Sequence, residues 1–305
     1  MIISNKCITK LVSHLLIVVM ILGMTVMPYR PSFSQSTVIY VNQSAAAGSN
    51  DGTSWENAYI DLQSALDQAD DQTGTYEIWI AQGVYLPSSK IGSTTDPRSA
   101  AFSMRNNTAI YGGFEGNETA LSQRDFNAHH TILSGDIGES GDASDNAYHV
   151  IYNWDGLYLN DTAILDGVIV EKGNANGVQA TLSYSNMGGG ILNLTNNSPV
   201  FRNIITRDNS AEYGGGFTNF HGDPKIENSQ FQNNTALYYG GGLYNAVGSP
   251  TLINLEFTSN SALDMGGGMY DLDDATIENT IFEQNSAEYG GGIYCSNAST
   301  YLSNV

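Results

Sequence analysis

Basic side chains are what this 305-residue chain has least of: 11 Lys and Arg stand against 31 Asp and Glu, a formal net charge of −20. That balance excludes a surface built to neutralise nucleic-acid phosphates or an anionic membrane. Charged residues of both signs make up only 14%, and proline is scarce at 7. Two cysteines, Cys7 and Cys295, cannot build a disulfide framework. Helix formers do not run for ten or more positions anywhere in the repeated part of the chain, which excludes a helical repeat. The longest apolar run, Leu15 to Pro28, has 14 residues and falls short of the ~20 needed to span a bilayer. What remains is abundant: 33 glycines, 18 tyrosines and 41% hydrophobic residues. Such a chain can support a core, and its Gly, Asn, Ser and Thr favour stacked turns and short strands.

The apolar run has its own context. Lys6 and Lys10 precede it, and Ser32-Phe33-Ser34 follows as a small-x-small cleavage pattern. Residues 1–34 therefore read as a secretory signal peptide. Its removal takes away Lys6, Lys10 and Arg30, leaving 8 basic against 31 acidic side chains, a net of −23, and Cys295 as the one cysteine. The expectation is an exported, extracellular or cell-surface chain whose mature part inserts into no membrane and binds no nucleic acid.

The octamer NSAEYGGG occurs at Asn209–Gly216 and again at Asn285–Gly292, and triple glycines begin at Gly188, Gly214, Gly240, Gly266 and Gly290, spaced by 26, 26, 26 and 24 residues. Self-similarity at this period marks a solenoid. Aligning the units gives columns of one residue type. Ile191, Phe217, Leu243, Met269 and Ile293 follow each triplet; two residues on come Asn193, Asn219, Asn245, Asp271 and Cys295. A second apolar column is Phe201, Ile226, Leu252, Ile277 and Leu302, followed two residues later by Asn203, Asn228, Asn254, Asn279 and Asn304. Phe231, Phe257 and Phe282 each open a Phe-x-x-Asn motif ending at Asn234, Asn260 and Asn285; the first unit has Thr206 in the Phe place and keeps Asn209. An alanine column follows at Ala211, Ala236, Ala262 and Ala287.

Apolar–polar alternation in three- to five-residue stretches, cut by Gly and Asn, reads as strands. The spacing fits three strands per coil of a parallel β-helix, each coil ~4.8 Å above the last. Apolar columns then line the interior, and Asn columns form amide ladders. The glycines serve either positive-φ corners or close backbone approach. The expected fold is all-β, a parallel β-helix, over a single domain spanning 35–305. Within it, 35–187 form an N-terminal cap and irregular coils, and 188–305 form regular coils of 24–26 residues. Upstream strands are expected at Thr37–Val41, Tyr76–Ala81, Ala109–Tyr111, Thr131–Leu133, His149–Tyr152 and Ile164–Val170. A capping helix is expected over Asn57–Ala69, with Ile60, Leu62, Ala65, Leu66 and Ala69 on its apolar side. The chain stops mid-coil at Val305, which reads as a C-terminally incomplete solenoid.

The glycine triplet followed by an apolar residue, alternating with Phe-x-x-Asn, resembles the repeats of chlamydial polymorphic outer-membrane proteins, with GGG where those usually have GGA. The resemblance covers Gly188 to the end. Upstream stretches such as IWIAQGVYLP and TAIYGGFEGNE resemble bacterial secreted right-handed parallel β-helix proteins of the pectin-lyase-like superfold. This resemblance implies a surface or secreted protein, an adhesin-type module whose partner is a glycan or a host or neighbouring cell. The alternative it implies is a polysaccharide lyase or hydrolase acting on acidic glycans.

Residues that could carry chemistry are few. His221, Asp223, Asp273 and Asp274 lie in the turns after the first strand of their coils, two coils apart, roughly 10 Å by strand spacing. That is near the range for an inverting carboxylate pair. The order reverses that of the polygalacturonase type, and the bland reading is a solvated Asx turn. Asp136, Glu139, Asp142 and Asp145 in SGDIGESGDASDN could give oxygen ligands to Ca²⁺; the bland reading is an acidic loop. No other cofactor is implied. Arg202 and Arg207 share a coil, with no carboxylate expected in their columns, which argues against a lyase base. Tyr244, Tyr270 and Tyr294 are expected as an exposed file that stacks on sugars or on itself.

Overall fold

Ile191, Phe217, Leu243, Met269 and Ile293 stand in one file, each the Cα partner of the next across parallel strands. Residues one repeat apart are therefore stacked, which is the geometry the 24–26-residue period demands. The computed structural model describes residues 36–45, 47–70, 74–92, 94–178, 184–296 and 299–305, in one compact unit, Ser36–Val305. The expected signal peptide lies outside the described residues.

Among these residues the strands form four parallel sheets of nine, six, seven and four strands. The molecule is a parallel β-helix. The nine-strand sheet runs from Thr37–Val41 to Tyr301–Ser303, and its inner file reads Ile39, Ile78, Ile110, Leu165, Phe201, Ile226, Leu252, Ile277, Leu302. The apolar period is thus unbroken from the irregular coils into the regular ones. Three strands per coil were expected; the fourth sheet, Asn174–Ala175, Ser210–Tyr213, Thr235–Tyr239 and Ser261–Ala262, corrects this. It uses the segment between the ladder Asn and the glycine triplet, where the small alanines Ala211, Ala236 and Ala262 are buried.

The seven-strand sheet carries Phe231, Phe257 and Phe282, whose rings stack with centroids 4.5 and 4.7 Å apart. Each stacked pair contributes about 0.5–1.5 kcal/mol beyond its buried area. Two amide ladders flank this core. Asn153, Asn193, Asn219 and Asn245 pass Nδ2 donors one rung at a time, ending on Asp271. Asn209, Asn234, Asn260 and Asn285 form the second ladder. The third Asn file shapes corners instead. Asn203, Asn228, Asn254, Asn279 and Asn304 all have φ between 49° and 56°, the left-handed turn that Asn tolerates.

The glycine triplet divides its work. The first glycine of each triplet has φ between 62° and 68°. In the first four triplets the second and third admit no side chain: a Cβ on Gly215 would stand 2.4 Å from the Thr235 carbonyl oxygen, and one on Gly216 2.6 Å from that of Gly242. Both expected roles are present, at different positions.

At the N-terminal end the helix spans Leu62–Ala69, shorter than Asn57–Ala69. Asp61 caps it, accepting from the Ser64 N–H. Leu62, Ala65, Leu66 and Ala69 join the core beside Ile39 and Ile78, covering its end. Ile60, expected on that face, precedes the cap and is 51% exposed. The stretch Ile164–Val170 is two strands, Ala163–Asp166 and Ile169–Glu171, because Gly167 turns the chain with φ 76°.

Candidate functional site

Two turns that follow strands of the six-strand sheet, after Phe217–Phe220 and after Met269–Asp271, hold His221, Asp223, Asp273 and Asp274. His221 is exposed there with φ 62°; its backbone N–H donates to the Val247 carbonyl at 2.7 Å, and its ring meets Phe220 at 4.7 Å. Asp223 Oδ1 accepts from the Ser249 N–H at 2.7 Å, and Asp273 Oδ2 accepts from the Gly248 N–H at 3.0 Å. Asp274 Oδ1 accepts from the Ser299 N–H at 3.1 Å. Asp223 and Asp273 therefore grip the Gly248–Ser249 turn from the rung before and the rung after. The interval between the two carboxylates is filled by that turn, where an inverting pair keeps room for a water and a sugar ring.

Arg202 and Arg207 do have carboxylates in their columns, and this corrects the sequence reading. Arg202 is the Cα partner of Asp166, and Arg207 of Glu171. These partners sit in the coil before the first glycine triplet, which has no triplet of its own to align by; a second carboxylate in the Arg202 column, Glu227, lies in a regular coil within reach of the alignment. Arg202 Nε lies 2.6 Å from Asp166 Oδ2, Arg124 Nη2 lies 2.8 Å from Oδ1, and Asn203 Nδ2 donates to Oδ1 at 2.8 Å. Two guanidiniums and an amide thus satisfy one buried carboxylate. Arg207 Nη2 pairs with Glu171 Oε2 at 2.7 Å.

In the acidic loop, Asp136 accepts from Lys172 Nζ at 2.8 Å and from the Gly141 N–H. The Lys172 hydrogen bond first, and the Gly141 N–H with it, hold this carboxyl below its ordinary range. Asp142 accepts from the Ser144 N–H and Asp145 from the Glu139 N–H. Each of these three carboxylates bonds within its own loop or to Lys172, while Glu139 is exposed. Among the described residues no three His, Cys, Asp or Glu side chains come together as a metal site.

The tyrosine file exists in register but is covered at two of its three positions: Tyr244 is 8% and Tyr270 7% exposed, and Tyr294 is half-buried. Tyr270 and Tyr294 stack at 5.5 Å, and Tyr239 stacks on Tyr270 at 4.8 Å. Met187, Leu192 and Leu194 pack into the same cluster on the outer side of the sheet. The file stacks on itself. Burial pushes the Tyr244 hydroxyl up to about 12.

Two features escaped the sequence. His149 is buried, with Nδ1 2.9 Å from the Gly188 carbonyl, and burial pushes it down to about 4. A single histidine in an irregular coil leaves no periodic signal. A cavity of about 240 Å³ lies beside the left-handed turns, lined by Phe126, Asn127, His130, Asn203, Asn228 and Gln230 among others. It forms because the loop carrying Phe126 lies against the turns of later coils, a contact between residues about 80–100 apart that no local pattern encodes.

A model described as the Chlamydia polymorphic membrane protein repeat matches residues 228–246 and 279–296. Each match begins at a left-handed Asn, contains a Phe-x-x-Asn motif and ends beyond a glycine triplet. Among solved structures, a deglycosylated pectin methylesterase from Aspergillus niger is similar at 14% identity and TM-score 0.32, over 88% of this chain and 87% of that one. A penultimately deglycosylated form of the same enzyme gives 13%, 0.30, 86% and 87%. No curated protein matches. The chain is a parallel β-helix built on repeats similar to those of the Chlamydia polymorphic membrane proteins.

Proposed function

We propose that this chain is an exported, non-catalytic surface module of the adhesin type, a stiff acidic rod that presents its exterior to glycans or to a neighbouring cell. The observation that carries this reading is where the polar residues spend their hydrogen bonds. Asp223, Asp273 and Asp274 each hold a backbone N–H of an adjacent rung, and Arg202 and Arg207 are committed to Asp166 and Glu171. Groups that lyase or hydrolase chemistry would use are structural ties between coils. The repeat match supports a surface setting, because the matching family is one of membrane proteins. No helix among the described residues is long and apolar enough to cross a membrane.

A turnover screen against polygalacturonate and related acidic glycans, run beside an attachment assay on glycan arrays and cells, tests the reading. The expected result is attachment without turnover. Turnover by the wild type that is lost in Asp223→Ala and Asp273→Ala, with thermal unfolding showing both variants folded, would replace the module by a polysaccharide-degrading enzyme.

A further inference from the structure

One edge of the prism is apolar at its centre and acidic at its ends. On the four-strand sheet, Ser210, Thr235 and Ser261 stack in one file and Ala211, Ala236 and Ala262 in the next. The following position on successive rungs is Glu212, Leu237, Leu263 and Glu288. Leu237 is 45% and Leu263 68% exposed, with Tyr238 and Tyr289 beside them at 39% and 51%. The leucines border an open trough of about 440 Å³ with the alanines and hydroxyls among its lining. From Ile226 onward the chain is one-signed: residues 226–305 contain nine Asp and Glu and no Lys, Arg or His; at the other end Glu212 Oε2 accepts from Asn186 Nδ2 at 2.7 Å and keeps its charge for a partner cation.

We infer that this edge docks a basic amphipathic helix of a partner protein. Clustered exposed Leu and Tyr mark a contact surface, and Glu212 and Glu288 select what covers it. The partner must offer apolar side chains in the middle and Lys or Arg at both ends. The spacing chooses a helix. Four rungs ~4.8 Å apart span ~14 Å. Helix positions i, i+4, i+7 and i+11 lie on one face and span ~16 Å, near one helix turn per rung. An extended strand puts same-face residues ~6.7 Å apart and falls out of step by the second rung. The partner helix lies along the solenoid axis, its apolar pair on Leu237 and Leu263 and its cations on Glu212 and Glu288. This names a partner chemistry for the display reading above and rests on it only for biological setting; binding is measured on purified protein, so it stands or falls apart from cell attachment.

The probe is a stapled, alanine-rich 14-residue peptide with Lys at positions 2 and 13 and Leu at 6 and 9, titrated by fluorescence polarisation into the full chain. Saturable binding below about 1 mM that weakens with salt is expected. Leu237→Ser with Leu263→Ser should weaken it about tenfold or more at unchanged net charge. Glu212→Gln with Glu288→Gln should weaken it several-fold and flatten the salt dependence, and a peptide with Glu for both Lys should not bind. Equal binding by wild type and the double leucine variant, equal binding of the Glu peptide, or no saturable binding overturns the inference.

Discussion

Asn234 donates to Asn260 Oδ1 twice, from its Nδ2 and from its backbone N–H, each at 3.0 Å. Asn209 does the same to Asn234, and Asn260 to Asn285. Each Nδ2 also donates backwards, that of Asn234 to the Thr206 carbonyl at 2.9 Å. One amide therefore closes bonds on three successive coils, and its geometry uses acceptor and donor together. Asn234→Ala strands the Asn209 N–H and the Thr206 carbonyl in a buried rung. At about 1–3 kcal/mol for each orphaned group, the loss should be roughly 3–5 kcal/mol, read as a lower urea midpoint. Asn234→Asp should not rescue, because it keeps the acceptor and loses both Nδ2 donors. A change below about 1 kcal/mol in Asn234→Ala would show the ladder to be ornament.

Much of the fold was legible from repetition alone. A column of Asn at one spacing states its role five times, and Ile191 to Ile293 state the interior five times. What could not be read lay off the repeat. Asp166 and Glu171 face Arg202 and Arg207 from a coil with no glycine triplet to align it. The cover over Tyr244 and Tyr270 comes from the rings of Tyr213 and Tyr239, which precede glycine triplets, so a file that alternation places outside the barrel is still withdrawn from water. The candidate site suffered most, because Asp223 and Asp273 look alike in sequence whether they hold a turn or a substrate.

Thr206 tests the reading of the Phe-x-x-Asn file. It occupies the Phe place one rung below Phe231, and its Oγ1 is buried with no hydrogen-bond partner. Thr206→Val keeps the shape and removes the orphaned hydroxyl. It should stabilise the protein by about 1–2 kcal/mol, seen as a raised melting temperature. A destabilised variant would mean that the hydroxyl has an unrecognised partner.

His149 gives the chain an acid-sensitive point. Burial is the largest cause of its fall from 6.5 to about 4, opposed by bonds to the Gly188 and Met187 carbonyls. Between those values the unfolded chain takes up a proton that the folded chain refuses. Stability from this group is complete above pH 6.5 and is lost as pH falls toward 4, by about 3 kcal/mol. His149→Gln offers an amide donor to the Gly188 carbonyl and does not titrate. The wild-type advantage over this variant should shrink by that amount between pH 7 and pH 4 in urea titrations. A pH-independent difference would place the proton elsewhere.

Asp271 is the one carboxylate set into an amide ladder, and it works in the opposite direction. Burial pushes its carboxyl up, against hydrogen bonds from Thr300, Asn245 and Ala275. Thr300 Oγ1 lies 2.6 Å from Oδ2, and Asn245 Nδ2 2.7 Å from Oδ1. For an acid raised in the fold, the native chain takes up its proton before the unfolded one does. The cost of the buried charge is full above the folded value, fades as pH falls, and is gone below the ordinary 3.8. Asp271→Asn removes the charge while keeping an oxygen for Asn245 and a donor for the Thr300 hydroxyl. The variant should be more stable at pH 7, and its margin should narrow on acidification. A variant less stable than wild type at pH 7 would mean that the Thr300 and Asn245 bonds to a full negative charge outweigh the cost of burying it.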